Sequence, residues 1–297
     1  MEKLLTLGIP KGSLEESTLS LFARAGYSFH GSSRSFWLSS NDPEIKPVLL
    51  RPQEIPLYVA SGSLDCGLSG LDWITETNCN DGVRILADLC YSKRSFRPVR
   101  WVLAVAKESD VETVDDLRKP RPQRLRISTE LRNVTENWLA QQGVMAEVDF
   151  SWGATEAKVP VFADAIVECT ETGASLEANG LRIIETVFES TTQFFACKQF
   201  YREDAWKREK LDGIALLLMS CLKADTKVRV QLQAPPESVD AVTELLAVNG
   251  NYSVWQGHDN SMLIDVIMDK EKARDLIPAL VRRGATRVSS SPLGMLY

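Results

Sequence analysis

Short apolar runs alternate with amphipathic stretches through most of the chain. Leu4 to Ile9 reads as a buried strand, and Leu14, Thr18, Leu21, Phe22 and Ala25 then fall on one helical face that Gly26 is placed to end. A strand from Val48 delivers Arg51, and a helical piece ending near Gly62 leads to another strand. Asp65 to Leu68 and Gly70 to Asp72 read as a tight glycine-rich turn, where the backbone can approach a ligand closely. Val99 to Ala106 is a strand, and Val114 to Leu117 opens a short helix. Leu125 to Ser128 is a strand ending at Thr129-Glu130; Asn133 and Glu136 frame a helix through Gln142 that Gly143 closes. Ala165 to Val167 supplies one more buried strand with Glu168 at its carboxyl end, and Thr191 to Cys197 crosses back to complete the first lobe. Alternating strands and helices predict α/β architecture, with two lobes on parallel, doubly wound sheets whose loops face a shared cleft.

The pattern changes after Glu203, where a charged helix-forming segment runs to Leu222. Thr226 to Gln233 alternates like a strand, Pro236 to Ala247 is helical, and Tyr252 to Gln256 and Met262 to Met268 are strands. Lys270 to Arg283 is a helix and Thr286 to Ser290 a last strand, which completes the split βαβ order of a ferredoxin-like unit. The organisation expected is a first lobe over 1–98 and 187–222, a second over 99–186, and a small regulatory or assembly domain over 223–297.

With 297 residues and 44% hydrophobic content, the chain has material for two or three domains with real cores. A formal net charge of -6 argues against nonspecific nucleic-acid binding, so an anionic ligand must meet local positive charge. No apolar run approaches the roughly 20 residues of a membrane span. The amino terminus enters a strand without signal-peptide anatomy, and the expected location is the cytoplasm. Six scattered cysteines without a CxxC pair, and only two histidines, disfavour a zinc site or a disulfide framework.

Candidate chemistry gathers at two strand ends. Ala163 to Leu176 reads ADAIVECTETGASL: a strand stops at a carboxylate and passes through a Thr-Gly turn into a helix start, so backbone N–H groups of Cys169 to Ser175 can converge on an anion. Cys169 has no histidine near it in sequence and reads as a small loop filler rather than a nucleophile. Pro10-Lys11-Gly12 leads to Ser13, which is placed to cap a helix with Glu16 three residues later, so Lys11 is either held beside free N–H groups or is a solvated turn lysine.

Together these segments resemble the long form of ATP phosphoribosyltransferase over essentially the whole chain. The resemblance rests on the PKGSL start, SRSFW at Ser33 to Trp37, RPQEIPLYV, LDCGLSGLDW, SWGATEAKVP, the ADAIVECTETGASL stretch with the following NGL, and the carboxy-terminal module. It implies two periplasmic-binding-protein-like lobes with an ACT-like regulatory domain, in a cytoplasmic homohexamer with dimer forms. It also implies transfer of the phosphoribosyl group of phosphoribosyl pyrophosphate to N1 of ATP, with Mg2+, as the first step of histidine biosynthesis under histidine inhibition. Lys11, Arg34 and Arg51 would then meet pyrophosphate and nucleotide phosphates. Glu168 would accept from ribose hydroxyls, and Thr170, Glu171, Thr172, Gly173, Ala174, Ser175 and Leu176 would form the substrate loop around the 5′-phosphate. Asp72, Glu130 and Glu156 are carried over as substrate-binding residues, although each sits where it would equally cap a helix or brace a loop. No protein metal ligand is implied, because phosphate oxygens and water can hold magnesium.

Two positions and one segment depart from the family pattern. Ser13 stands where many members carry Arg, and Glu168 where many carry Asp. Asn249 to Trp255 replaces a Pro-Thr-Val-Ser-like segment, a change that bears on histidine inhibition more than on catalysis. The rival readings are a two-lobed binding or sensor protein without chemistry, and a regulatory protein whose lobes have lost activity.

Overall fold

The computed structural model describes residues 3–31, 35–90, 98–120, 123–247, 252–257 and 260–297. The chain begins with β1 (Leu5–Pro10), α1 (Glu15–Arg24), a ribbon of β2 (Phe29–His30) and β3 (Ser39–Ser40), β4 (Ile45–Leu50) and α2 (Ile55–Ala60). β5 (Cys66–Gly70), α3 (Leu71–Glu76) and β6 (Val83–Leu89) follow. It crosses to β7 (Val99–Ala106), α4 (Val114–Leu117), β8 (Leu125–Thr129), α5 (Arg132–Gln142) and β9 (Ala146–Phe150). A 3-10 turn at Thr155–Lys158 precedes β10 (Ala165–Thr170), α6 (Ala174–Ala178), β11 (Leu181–Ser190) and β12 (Thr192–Cys197).

These strands form two five-stranded sheets, ordered β4-β1-β5-β12-β6 and β11-β7-β10-β8-β9. Neither is the purely parallel sheet expected. β12 runs antiparallel to β5 and β6, and β7 antiparallel to β10 and β11. The cause is where the chain changes lobe. Thr192 enters the first sheet opposite Gly70, the carboxyl-terminal residue of β5, so β12 has to run away from that end. Strand–helix alternation carries no information about this, because it records spacing along the chain and not direction across a sheet. The lobe boundary also moves: β11 pairs with β7 through Ser190, so residues 187–190 belong to the second sheet.

Buried apolar faces account for the strands. Trp101, Leu103 and Val105 of β7 pack with Ile127 and Val167 on one face of the second sheet, while Val102, Ala104 and Ile166 pack with Leu176 and Leu181 on the other. In the first lobe Val48, Ile55, Val59, Ile74 and Phe195 share a core. The expected glycine-rich turn at Asp65–Asp72 is instead the buried strand β5 running into α3. A Cβ on Gly67 would lie 2.4 Å from Ile55 Cγ2 and 3.3 Å from the Gly8 carbonyl oxygen, so this glycine lets α2 seat against the sheet and serves packing rather than a ligand. The Ser13 cap is also replaced, since α1 starts after Leu14 without a side-chain cap, and the Gly12 N–H donates to Glu15 Oε2 at 3.3 Å.

After α7 (Lys198–Glu203), the long helix α8 (Ala205–Asp225) leads to β13 (Lys227–Ala234), a 3-10 turn at Pro236–Ser238, α9 (Val239–Ala247), β14 (Tyr252–Gln256), β15 (Met262–Asp269), α10 (Lys270–Arg282) and β16 (Thr286–Pro292). The four strands make an antiparallel sheet ordered β14-β15-β13-β16, and Val230, Leu232, Ile264 and Val266 pack with Val242, Leu246 and Leu280 of its helices. The chain divides into compact units of residues 1–215 and 216–297, parting inside α8 rather than at its end. No helix among the described residues is long and apolar enough to cross a membrane.

Candidate functional site

A cavity of about 630 Å3 opens between the two sheets of the first unit, within the usual range for small-molecule sites. One wall comes from Ser13, Leu14, Pro52, Gln53 and Gly70, the facing wall from Glu130, Glu168 to Thr172, Ala174 and Ser175. Ser190 to Thr192, the crossing between the lobes, lies in the lining as well.

β1 and β4 are parallel neighbours with Pro10 opposite Leu50, and the Lys11 N–H donates to the Leu50 carbonyl at 2.7 Å. Lys11 and Arg51 therefore stand side by side just past two strand ends, both exposed and neither ion-paired among the described residues. The Lys11 ammonium lies 4.4 Å from the centre of the Phe36 ring. Neither cation is part of the cavity lining, although Pro52, next to Arg51, is. Arg34, expected beside them, lies outside the described residues.

On the other wall β10 continues through Thr170, so Glu168 sits inside the strand and only Glu171 to Gly173 form the loop. Glu168 is nonetheless past the parallel pairing with β8, which ends at Val167 opposite Thr129. Gly173 holds φ at +84°, a left-handed conformation that favours glycine. Its N–H donates to Thr170 Oγ1 at 2.8 Å, and that of Ala174 to Thr172 Oγ1 at 3.4 Å. Two amides of the expected cradle are thus capped by the loop's own threonines, whose hydroxyls an incoming phosphate has to replace. Ser175 lines the cavity and donates to Glu156 Oε1 at 2.8 Å. Leu176 is a correction: at 1% exposure it packs into the sheet core with Val102 and Ile166, so its side chain does not face a substrate.

The carboxylates differ in their surroundings. Asp72 is buried, with Oδ2 accepting from Trp101 Nε1 at 2.7 Å and Oδ1 from the Trp73 N–H at 2.8 Å, while its own N–H donates to Ser190 Oγ. Burial raises its pKa against these bonds. Glu76, on the same face of α3, accepts from the N–H groups of Asn133 and Val134 at 2.9 and 3.0 Å and so caps α5. Both residues of α3 therefore hold the second lobe, and Asp72 braces the cavity wall as well as lining it.

Glu168 is half-buried. Burial raises its pKa, the nearby Thr155 hydroxyl and the hydrogen bond from the Cys169 N–H oppose the shift, and the charges of Glu156 and Glu130 add to it. Cys169 lies in β10 rather than in a loop and is exposed, yet desolvation of its thiol and the carboxylates of Asp72, Glu168, Glu171 and Glu130 push it up to about 12, which argues against a nucleophile. Among the described lining residues there is no lysine or arginine, so this wall is acidic.

A family model for ATP phosphoribosyltransferase matches residues 51–220, more than half of the chain. The chain belongs to the ATP phosphoribosyltransferase family. It is 46% identical over 293 residues to the ATP phosphoribosyltransferase of Thermodesulfovibrio yellowstonii, covering 98% of each. Over 290 residues it is 48% identical to that of Desulforudis audaxviator, covering 97% of this chain and 98% of the relative. Among solved structures, the ATP phosphoribosyl transferase (HisG:HisZ) complex from Thermotoga maritima aligns with a TM-score of 0.58 at 26% identity, covering 73% of this chain and 99% of that chain. Like these relatives, the chain is a transferase of the ATP phosphoribosyltransferase family.

Sequence reasoning takes Glu156 alone from the SWGATEAKVP segment, because a carboxylate is the obvious polar candidate there. It misses Ser151, Thr155 and Lys158, whose side chains form one hydrogen-bonded group beside Glu168. A lysine three residues after a threonine on a single turn was the available signal. Trp101 is missed too, since a tryptophan inside an apolar strand reads as core until its indole N–H needs a partner.

Proposed function

We propose that the cavity joins ATP and phosphoribosyl pyrophosphate, adenine N1 forming a bond to the sugar C1 while the bond from C1 to pyrophosphate breaks. The reading rests on one juxtaposition: a Thr-Gly loop from one sheet faces, across a single cavity, the segments that directly follow Lys11 and Arg51 on the other. The 5′-phosphate is assigned to Thr172 to Ser175, the ribose hydroxyls to Glu168, and the departing pyrophosphate to Lys11, Arg51 and Arg34. Charge develops on that leaving group in an oxocarbenium-like transition state, and preorganised cations lower its energy. Adenine N1 is itself the nucleophile, so no protein base is required.

Two polyanionic substrates entering a wall that carries Asp72, Glu130, Glu168 and Glu171 need added positive charge. Mg2+ fits these hard oxygen donors and, when bound, neutralises phosphate charge. No group of three acidic, histidine or cysteine side chains able to hold a metal occurs among the described residues. Phosphate oxygens and water can hold the ion by themselves, so it is assigned to them, with Glu130 and Glu171 as acceptors for its waters.

Incubation with ATP, phosphoribosyl pyrophosphate and Mg2+ tests the reading by absorbance and mass of the adduct. The expected result is adduct with stoichiometric pyrophosphate; binding of both substrates without pyrophosphate release would leave a two-lobed binding protein.

For residues 216–297 the reading is regulatory and assembling, supported by a separate core and the split βαβ order. Histidine is its proposed inhibitor and a homohexamer the proposed assembly. Calorimetry of the full chain with histidine, together with light scattering, tests both; no heat of binding overturns the inhibitor. Asn249 to Asn251, part of the segment that departs from the family pattern, lie outside the described residues.

A further inference from the structure

Glu76 is the last residue of α3, yet its carboxylate serves a helix of the other lobe. Oε1 accepts from the Asn133 N–H at 2.9 Å and Oε2 from the Val134 N–H at 3.0 Å, while the Asn133 side-chain amide donates to the Glu76 carbonyl at 2.8 Å. Glu76 is only 9% exposed, so water competes little for these bonds. α5 has no cap of its own to replace them. Its N-cap residue, Leu131, carries no side-chain oxygen, and its first turn holds Arg132 and no acid, so free N–H groups and an unfavourable charge meet at the helix start. The carboxylate from α3 supplies both the acceptors and the negative charge missing there.

The consequence reaches the cavity through Glu130. This residue lies between Thr129, where β8 ends, and the start of α5, and it lines the cavity. No hydrogen bond or ion pair holds its own side chain among the described residues. Its direction is therefore set by the backbone on either side. On the β8 side, Thr129 is fully buried, and its hydroxyl accepts from the Leu131 N–H at 3.1 Å and its carbonyl from the Ser151 N–H at 2.8 Å. On the α5 side, Leu131 packs in the core of the second lobe and Glu76 holds the first turn.

We propose that Glu76 is a positioning residue for Glu130: by capping α5 from the first lobe, it fixes the direction in which the Glu130 carboxylate enters the cavity. The proposal deepens the assigned function and rests on the reading of Glu130 as an acceptor for magnesium-bound waters. Such an acceptor has to be placed and not merely present, because a binding constellation loses function when its supporting residues loosen by about 1 Å. A frayed first turn of α5 would let Glu130 turn away.

The test measures binding of phosphoribosyl pyrophosphate to the full chain by calorimetry, with and without Mg2+, for wild type, Glu76→Gln, Glu130→Gln and the double variant. Glu76→Gln keeps the shape but sets an NH2 group against one of the two helix amides. It is expected to raise the dissociation constant in Mg2+ about fivefold, the scale of a lost helix cap, and to leave the metal-free value unchanged. Glu130→Gln should act in the same direction, and the double variant should be no worse than Glu130→Gln, because both act on one carboxylate. A merely structural role would weaken the metal-free and metal-bound values alike and multiply with Glu130→Gln. That result, or wild-type affinity for Glu76→Gln, overturns the proposal. Glu76→Asp, one methylene shorter, is the second variant should Glu76→Gln fail to fold, with the same expected direction.

Amide exchange followed by NMR locates the effect without substrate. The Asn133 and Val134 N–H groups should exchange about tenfold faster in Glu76→Gln, with Leu139 further along α5 unchanged. Amides that stay protected overturn the clamp. Wild-type affinity in Mg2+ for Glu130→Gln, with the exchange result as expected, would instead overturn the reading of Glu130 on which the proposal rests.

Discussion

The indole N–H of Trp101 donates to Asp72 Oδ2 at 2.7 Å, joining a helix of the first lobe to the second strand system through two buried groups. Replacing Asp72 with Ala leaves that N–H and the Trp73 N–H without an acceptor, and the expected cost is about 2 kcal/mol of stability, measured by urea unfolding. The pH dependence follows from the direction of the shift. Burial raises the folded pKa of Asp72 above its unfolded value, so its favourable contribution is complete below the unfolded pKa and is lost as pH rises through the folded one. Wild type should therefore lose stability over that window relative to Asp72→Asn, and parallel stability–pH curves for the two proteins would contradict the assignment.

Arg51 and Lys11 are exposed and make no ion pair among the described residues, so their removal should leave folding intact. If they meet the departing pyrophosphate, Arg51→Ala or Lys11→Ala should lower kcat about 100-fold while the melting temperature stays constant. Steady-state kinetics beside a thermal melt separate this from surface residues, for which both quantities would stay at wild-type values.

At Gly173 the backbone is left-handed, and a Cβ would also come within 3.2 Å of Ile183 Cδ1. Gly173→Ala should strain the loop by about 1 kcal/mol and raise the dissociation constant for phosphoribosyl pyrophosphate about fivefold. Calorimetric titration measures it; unchanged affinity would remove the loop from the substrate site.

Cys169 faces the cavity, yet its thiol is pushed up to about 12. Thiolate at neutral pH should be scarcer than in an ordinary cysteine by a factor on the order of a thousand, so labelling of this residue by a thiol reagent should be slow and Cys169→Ser should keep its turnover. Rapid labelling or an inactive serine variant would restore the nucleophile reading.

Much of this protein was legible in its sequence. Part of the order of elements followed from periodicity, including the strand of Val99–Ala106 and the split βαβ order after α8, because apolar spacing reports which face of a helix or strand is buried; β6, β9 and β11 do not emerge from it, and β5 reads as a turn. The Thr-Gly loop was legible as well, since the left-handed conformation at Gly173 is one that glycine adopts cheaply. Tertiary structure decided what depends on partners far away in sequence. The direction of β12 depends on where the chain re-enters the first sheet, and Leu176 is core only because β7 and β10 present Val102 and Ile166 to it. Asp72 became a brace through Trp101, and Thr155 and Lys158 became visible beside Glu168 only once a turn carried them to its strand. Local sequence spacing encodes local geometry, whereas the partner that satisfies a buried polar group is chosen by the packed fold.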